Sequence, residues 1–465
     1  MTGLDLKPML KPRSVAIIGA SRDPDKVGHV ILQNYINAGY SGKIYVVNNK
    51  ADEIMGIKAY RNIRDIKAGI DLAVIAIPAE FVPDALEDCG KAGVKTTIVV
   101  SGGFAEIGKN DLQERLVQVA RKYNMPTLGP NCLGVMDPRS RIDTLFLPTY
   151  KLSRPSVGGV SFVSQSGAVG STILDLISSE GFGLSKFISY GNAAHIDEID
   201  VLDYLMHDDE TKVVIMYIEG IRRGREFLEA AKRISRVKPV IVLKGGKTAV
   251  GMAAARSHTA ALAGDAQAYE AVFRQAGFII ADDISELLYY AKIMESEVPP
   301  AGNRVAIITN GGGAGVLATD AVGMSGKLKL AELSKKTIGS LAKIMPSLVN
   351  VRNPLDVAGD ADEKRYGSAL SLLMQDGGVD MFLVIALFQT PGADSKLAAR
   401  LVDLKQKMEK PLVVVSIGAE YTKMHRIIME SGGVPVYDSP VDAVKSLAAL
   451  YSYYTLRKAR SKSNV

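Results

Sequence analysis

The feature that most narrows what this chain can become is a device used three times: a β-branched run, a cluster of small residues, then a helix-forming stretch. The first is Val15-Ala16-Ile17-Ile18 leading into Gly19-Ala20-Ser21-Arg22-Asp23-Pro24-Asp25-Lys26-Val27-Gly28. The second is Val160-Ser161-Phe162-Val163 leading into Ser164-Gln165-Ser166-Gly167-Ala168-Val169-Gly170. The third is Val305-Ala306-Ile307-Ile308-Thr309 leading into Asn310-Gly311-Gly312-Gly313-Ala314-Gly315. Unbroken apolar runs of this length are strands buried on both faces, which requires parallel sheets with helices packed on either side. A small-residue turn from strand to helix points backbone N–H groups outward at an anion, usually a phosphate. Singly, each turn can be structural only. Three in one chain point to repeated handling of phosphate.

The rest of the chain keeps the same rhythm. Ser14 to Gly19, Lys43 to Val47, Leu72 to Ile77 and Thr96 to Val100 read as strands, with helices over Val27 to Ala38 and Val82 to Ala92 between them. Asp137 to Gly159 holds Pro138, Pro148, Pro155 and Gly158-Gly159 with little periodicity, and reads as an interdomain connection. A second set follows: strands at Gly159 to Val163, Phe187 to Tyr190, Lys212 to Glu219 and Pro239 to Lys244, with helices starting near Gly167, Ile196, Gly224 and Gly264. After a helix over Ile284 to Glu295, the breaker cluster Val298-Pro299-Pro300-Ala301-Gly302 marks a second boundary. A third set opens with Arg304 to Thr309 and continues through Met381 to Leu387 and Pro411 to Ser416. The 465 residues fit about three domains of ordinary size. The expected division is 1–145, 146–297 and 298–465, a doubly wound α/β architecture throughout.

Composition excludes several classes. The net charge of +6 is spread along the chain, apart from the tail Arg457-Lys458-Ala459-Arg460-Ser461-Lys462, which reads as a frayed, solvated end. No nucleic-acid partner is expected. The 2 cysteines, Cys89 and Cys132, are too few for a disulfide framework and lack metal-ligand spacing, which suits a reducing cytoplasm. Met1 to Arg13 has no long apolar core, and the run at 15–20 is far short of the ~20 residues of a membrane helix, so an intracellular, membrane-free protein is expected.

None of the turns matches G-x-x-x-x-G-K-S/T, so no P-loop is present. The first turn is also an imperfect dinucleotide fingerprint. Ser21 stands in place of the second glycine, and the second strand ends in Asn48-Asn49 where an NAD enzyme would carry an acidic residue, although Asp52 is near. Of the 5 histidines, His207 and His425 sit among charged neighbours on helix surfaces, and His29 caps or lines the first turn. No pair has zincin spacing, so no metal site is expected. His258 differs. It lies in Ala253-Ala254-Ala255-Arg256-Ser257-His258-Thr259-Ala260-Ala261-Leu262-Ala263-Gly264-Asp265, where small residues on both sides suit a functional loop.

Taken in order, the Gly19–Gly28 turn, Gly129-Pro130-Asn131-Cys132-Leu133-Gly134, Ser164-Gln165-Ser166-Gly167 and Ser257-His258-Thr259-Ala260-Ala261-Leu262-Ala263-Gly264 resemble the NDP-forming acyl-CoA synthetases. The resemblance is to the alpha subunit of the ADP-forming acetyl-CoA synthetases, and more distantly to that of succinyl-CoA synthetase. It covers about residues 10 to 290. The third set, with Asn310-Gly311-Gly312-Gly313-Ala314-Gly315 and Asn353-Pro354-Leu355-Asp356-Val357, is similar to the carboxyl-terminal domain of the succinyl-CoA synthetase beta subunit. The resemblance implies a Rossmann-like CoA-binding domain, a flavodoxin-like ligase domain with a phosphohistidine loop, and a second flavodoxin-like domain.

It also implies a chemistry: acyl-CoA, ADP and phosphate giving acid, CoA and ATP through an acyl phosphate and a phosphohistidine. His258 would be the nucleophile and Glu219 the carboxylate that orients it. CoA would lie on Gly19, Ala20, Ser21 and Arg22, with Lys50, Pro78, Ser101 and Gly102 as further contacts. Gln165, Ser166 and Gly167, and in the third domain Asn310, Gly312 and Gly313, would hold phosphate or acyl phosphate. In succinyl-CoA synthetase the two corresponding helices come from different subunits; here both lie in one chain. No segment after the third domain resembles an ATP-grasp module, so a separate beta subunit carrying ADP or ATP and magnesium is expected, in an α2β2 heterotetramer serving acetate metabolism and energy conservation. The substrate expected is a small carboxylic acid or its CoA thioester. The competing readings are an NAD-dependent oxidoreductase and a CoA-sensing regulatory module; the second needs neither the His258 loop nor the third domain.

Overall fold

Each of the three apolar runs becomes an interior strand of its own parallel sheet. The computed structural model describes residues 4–248, 250–251, 266–347 and 349–462, and the chain divides into two units, Met1–Ile284 and Ser285–Val465.

In the first unit, Ser14–Ile18 is buried along its length and pairs in parallel with Lys43–Val47 on one side and Leu72–Ile75 on the other. Ile57–Tyr60 lies outside Lys43–Val47, while Thr96–Val99 and Thr127–Leu128 lie outside Leu72–Ile75. Numbered along the chain, and leaving aside the short hairpin partner Glu53–Ile54, the order is 3-2-1-4-5-6, that of a dinucleotide-binding sheet. The order reverses between Ser14–Ile18 and Leu72–Ile75, and crevices for ligands form beyond the carboxyl ends of strands at such points.

The second sheet centres on Val157–Ser164, flanked by Leu184–Ser189 and Val213–Ile218, with Val240–Lys244 and Ile279–Ala281 beyond the latter. Its parallel strands run 2-1-3-4-5, the flavodoxin-like order. Past Leu184–Ser189 the sheet is extended by antiparallel Gly134–Asp137 and Ile142–Asp143. Those residues belong to the stretch that pattern alone placed in the first domain and the connection after it; as short, irregular segments they carry no periodicity to read. One apolar cluster runs from Leu6 to Phe278 and takes Ile17 and Val74 from the first sheet together with Val163, Met216 and Val242 from the second. A fully buried lysine, Lys186, is accommodated because Asp208 and Glu210 each accept from its Nζ at 2.8 Å.

The second unit repeats the 2-1-3-4-5 order. Arg304–Thr309 pairs with Lys329–Leu330 on one side and Met381–Ile385 on the other, followed by Leu412–Val415 and Val436–Tyr437. Leu355–Asp356 pairs with the end of the first of these strands, at Ile308 and Thr309. The helix Pro440–Lys462 carries the basic tail, which is helical where the sequence suggested fraying. The fold is therefore α/β, one Rossmann-like sheet followed by two flavodoxin-like ones.

Candidate functional site

Two positions in the first turn admit glycine alone. Gly19 has φ +92°, and a Cβ there would lie 2.3 Å from the Ala76 carbonyl oxygen; a Cβ on Gly28 would lie 2.1 Å from the Gly19 carbonyl oxygen. The helix Val27–Asn37 thus starts directly against the turn, with no side chain capping its first N–H groups. Asn48 holds the turn from the next strand: its Nδ2 donates to Ala20 O at 2.8 Å and its Oδ1 accepts from the N–H groups of Lys50 and Ala51. The residue that stands where an NAD enzyme carries an acid is a brace for the turn. Ser21 Oγ accepts from Asp23 N, Arg22 Nε donates to Glu53 O, and His29 Nδ1 lies 3.0 Å from Ser21 O. Ser101 Oγ donates to Ile77 O at 2.6 Å, beside the Ala76–Ile77 segment that Gly19 touches. Gly19, Ala20, Ser21, Pro78, Ser101 and Gly102 therefore line one rim, at the carboxyl ends of the strands where the order reverses, with Lys50 exposed beside them.

The second sheet reverses between Val157–Ser164 and Val213–Ile218, and a side chain latches that crevice. Gln165 Oε1 accepts from Glu219 N at 2.7 Å and from Gly220 N at 3.0 Å. Ser166 caps the helix Gly167–Ser179, its side chain accepting from Val169 N. Glu219 is 9% exposed; Tyr217 OH donates to its Oε1 at 3.3 Å, and its Oε2 is buried with no hydrogen-bond partner among the described residues. Burial and then the Glu219 carboxylate push the Tyr217 hydroxyl up to about 12. Burial also lowers the Lys244 ammonium against the pull of Glu219; its Nζ donates to Glu219 O at 2.9 Å and sits over the Tyr269 ring.

In front of this crevice lies a cavity of about 380 Å³, lined by Gln165, Ser166 and Gly167 together with Asn131, Asn192, Arg222 and several apolar side chains. Asn131 N donates to Ser101 O at 2.9 Å, so the cavity adjoins the rim of the first sheet. Glu106 ties the two together: it accepts from the N–H groups of Gly103 and Phe104 and from Asn192 Nδ2. Burial raises the Glu106 carboxyl, but Asn192 and the two N–H groups outweigh it, and the group sits below its ordinary range. Sequence reasoning did not single out Asn192, Arg222 or Glu106. The only local signal was the Gly191-Asn192 dipeptide after a strand, which marks a turn and says nothing of a cavity.

In the second unit, Asn310 Oδ1 accepts from Leu387 N at 2.9 Å and its Nδ2 donates to Leu387 O and Thr390 Oγ1. Gly311 precedes the helix Gly312–Met324 without a side-chain cap, and Gly312 and Gly313 are exposed at its start. His258 lies outside the described residues. His425, read from sequence as a surface residue, is buried at 4% exposure: it stacks on Phe388 and its Nδ1 lies 2.7 Å from Tyr421 O. Its charged neighbours occupy the other faces of the helix Glu420–Ser431, an orientation composition does not reveal. Among the described residues no group of three His, Cys, Asp or Glu side chains converges as a metal site requires.

Three family models match: a CoA binding domain over 13–138, a succinyl-CoA ligase like flavodoxin domain over 157–294, and a ligase-CoA domain over 305–463. An ADP-forming acetate–CoA ligase of Methanocaldococcus jannaschii is 40% identical over 457 residues, covering 97% of this chain, which spans 64% of that protein's length. The alpha subunit of ADP-forming acetate–CoA ligase II of Pyrococcus furiosus is 39% identical, over 94% of this chain and 96% of that one. Among solved structures, the dinucleotide-forming acetyl-coenzyme A synthetase 1 of Ca. Korarchaeum cryptofilum, in complex with phosphate and ADP, superposes with a TM-score of 0.93 at 36% identity, over 99% of each chain.

Proposed function

Because this chain belongs to the family of ADP-forming acetate–CoA ligase alpha subunits, we propose that it converts acyl-CoA, ADP and phosphate into acid, CoA and ATP, reversibly, together with an ATP-grasp beta subunit. A phosphate oxygen attacks the thioester carbonyl, the C–S bond breaks, and CoA leaves as the thiolate, giving an acyl phosphate. An imidazole nitrogen of His258 then attacks phosphorus and the carboxylate leaves. The phosphoryl group on His258 passes finally to ADP. CoA is assigned to the rim of the first sheet, where Gly19, Ala20, Ser21 and Arg22 form the anion-facing turn and Lys50, Pro78, Ser101 and Gly102 stand alongside.

Gln165, Ser166 and Gly167 are assigned to phosphate and acyl phosphate, and Asn310, Gly312 and Gly313 form a second phosphate turn in their own unit. Glu219 is assigned to fixing the His258 tautomer and stabilising the cation that forms. The observation that carries this reading is the buried Glu219 Oε2, left without a described partner at the end of the crevice strand. An isolated buried carboxylate oxygen is costly unless a donor meets it. The beta partner is assigned the nucleotide and its magnesium, in an α2β2 assembly, and the enzyme to the cytoplasm.

The test is co-expression with the beta partner and assay of ATP formed from ADP, phosphate and acyl-CoA. His258→Ala should lower turnover by at least about 1,000-fold with an unchanged circular dichroism spectrum. Mass spectrometry at alkaline pH should find the phosphoryl adduct at position 258 in the wild type. An active His258→Ala enzyme removes the mechanism.

A further inference from the structure

The connection between the first two sheets is held far more firmly than a linker needs. Asn34, 1% exposed on the helix Val27–Asn37, donates through Nδ2 to Leu145 O at 2.7 Å and Leu147 O at 3.1 Å. From the other side Arg154 donates through Nη2 to Leu147 O at 2.8 Å and through Nη1 to Leu152 O at 2.7 Å. Arg154 is itself fixed by Asp143, which is 4% exposed and accepts from its Nε at 2.7 Å. The backbone on both sides of Phe146 therefore has little freedom to move, and the Phe146 ring lines the cavity in front of the Gln165–Ser166 turn.

The lining mixes two kinds of group: Phe146, Leu147, Val100, Leu133, Ala168 and Ile221 are apolar, while Asn131, Asn192, Gln165, the Ser166 turn and Arg222 are polar. Among the described lining residues Arg222 is the single charged group. Phosphate and the reacting carbonyl belong against the polar groups, the N–H donors and the cation. What remains of the acyl group is left to the apolar members of the described lining, Phe146 among them.

Resting on the reaction proposed above, we propose that Phe146 is the specificity-determining residue for the acyl chain, and that Asn34 and Arg154 are positioning residues that keep it in place. A ring held this firmly in the lining of the pocket discriminates by chain bulk. It favours short aliphatic chains over aryl ones, and among the described lining residues a second carboxylate finds no cation besides Arg222. Irregular segments of this length inside a domain usually carry function, and this one carries a wall.

The test uses the complex with its beta partner and compares kcat/KM for acetyl-, isobutyryl-, phenylacetyl- and succinyl-CoA. Phe146→Ala should raise the phenylacetyl-to-acetyl ratio at least about 10-fold, the scale on which apolar pockets discriminate. Phe146→Leu, which keeps an apolar side chain against the core, should shift the ratio the same way by less. Arg154→Lys should relax the ratio as well, whereas a merely structural defect would lower every kcat/KM alike. Succinyl-CoA should stay unused in all variants. An active wild type whose ratio is unchanged in Phe146→Leu and Phe146→Ala overturns the wall alone. A wild-type complex that makes no ATP from any thioester overturns the reaction and the wall together.

Discussion

The turns 164–170 and 309–315 are built alike up to the point where their surroundings differ. Each follows the first strand of a 2-1-3-4-5 sheet. Each begins with a hydroxyl that donates to the carbonyl two residues on, Ser164 to Ser166 at 2.7 Å and Thr309 to Gly311 at 2.9 Å. Each continues with an amide side chain that bonds across the reversal, Gln165 to Glu219 and Gly220, Asn310 to Leu387. Each closes on a glycine where a side chain would be crowded: a Cβ on Gly170 would lie 3.1 Å from Ser164 and Phe187, and one on Gly315 2.9 Å from Thr309. The differences lie at two positions. Ser166 caps its helix where Gly311 does not, and the residue just past the strand opposite that bonds to the latch is Glu219 in one case and Leu387 in the other. The same scaffold therefore presents a carboxylate in one unit and an alkyl chain in the other.

The sharpest way to break the comparison is at those strand ends. Glu219→Gln should reduce ATP formation by roughly 100- to 1,000-fold while thermal unfolding changes little, because a carboxylate acting on a developing charge is felt in turnover. Leu387→Ala should do the reverse, shifting the unfolding midpoint and leaving turnover largely intact. Equal effects on both readouts would erase the distinction.

A second contrast lies in the helices Glu198–Met206 and Glu363–Met374, both capped by an aspartate, Asp197 and Asp362. Glu198 is 3% exposed, and burial followed by Asp197 raises its carboxyl from 4.5 to about 7. Ionising it costs the folded state, so stability should fall as pH climbs from the ordinary glutamate value towards 7 and stay low above. Glu198→Gln should remove that fall, giving a gain of roughly 3 kcal/mol at pH 8 that fades towards pH 4.5, read from urea midpoints. Glu363→Gln, on a half-buried glutamate at the same helix position, is the paired variant in that measurement.

The amide latches come next. Asn310→Ala should destabilise the second unit by about 1–3 kcal/mol in thermal unfolding, since it leaves the Leu387 N–H without its acceptor. Gln165→Ala should cost less, because Gln165 is more exposed, and should also lower turnover by releasing Glu219. The smallest effect is expected at the cap: Ser166→Ala should cost about 1 kcal/mol, while Gly311→Ala, with no cap hydrogen bond to lose, should show no cap-related loss. A neutral Asn310→Ala would mean that the two latches are alike in drawing only.

Strands whose residues are β-branched and buried on both faces were legible to within a residue or two, as Ser14–Ile18 and Arg304–Thr309 show. The small-residue turns were legible for the same local reason. The latches were not, because Gln165 meets partners 54 and 55 positions away and nothing near it in the chain indicates them. Asn48 was informative only for the acid it replaces, and its bond to Ala20 across 28 positions became visible with the fold. The Phe146 segment read as a connection because its order comes from Asn34, 111 positions from Leu145, and from Arg154, rather than from any periodic pattern.

The antiparallel pair Gly134–Asp137 and Ile142–Asp143 has a practical bearing on anyone who would take this protein apart. It shields the flank of Leu184–Ser189, whose hydrogen-bonding groups would otherwise stand open to any passing extended peptide. A ligase-domain fragment begun at residue 146 would expose that flank and should clump, whereas one spanning 4–284 keeps its sheet margin covered.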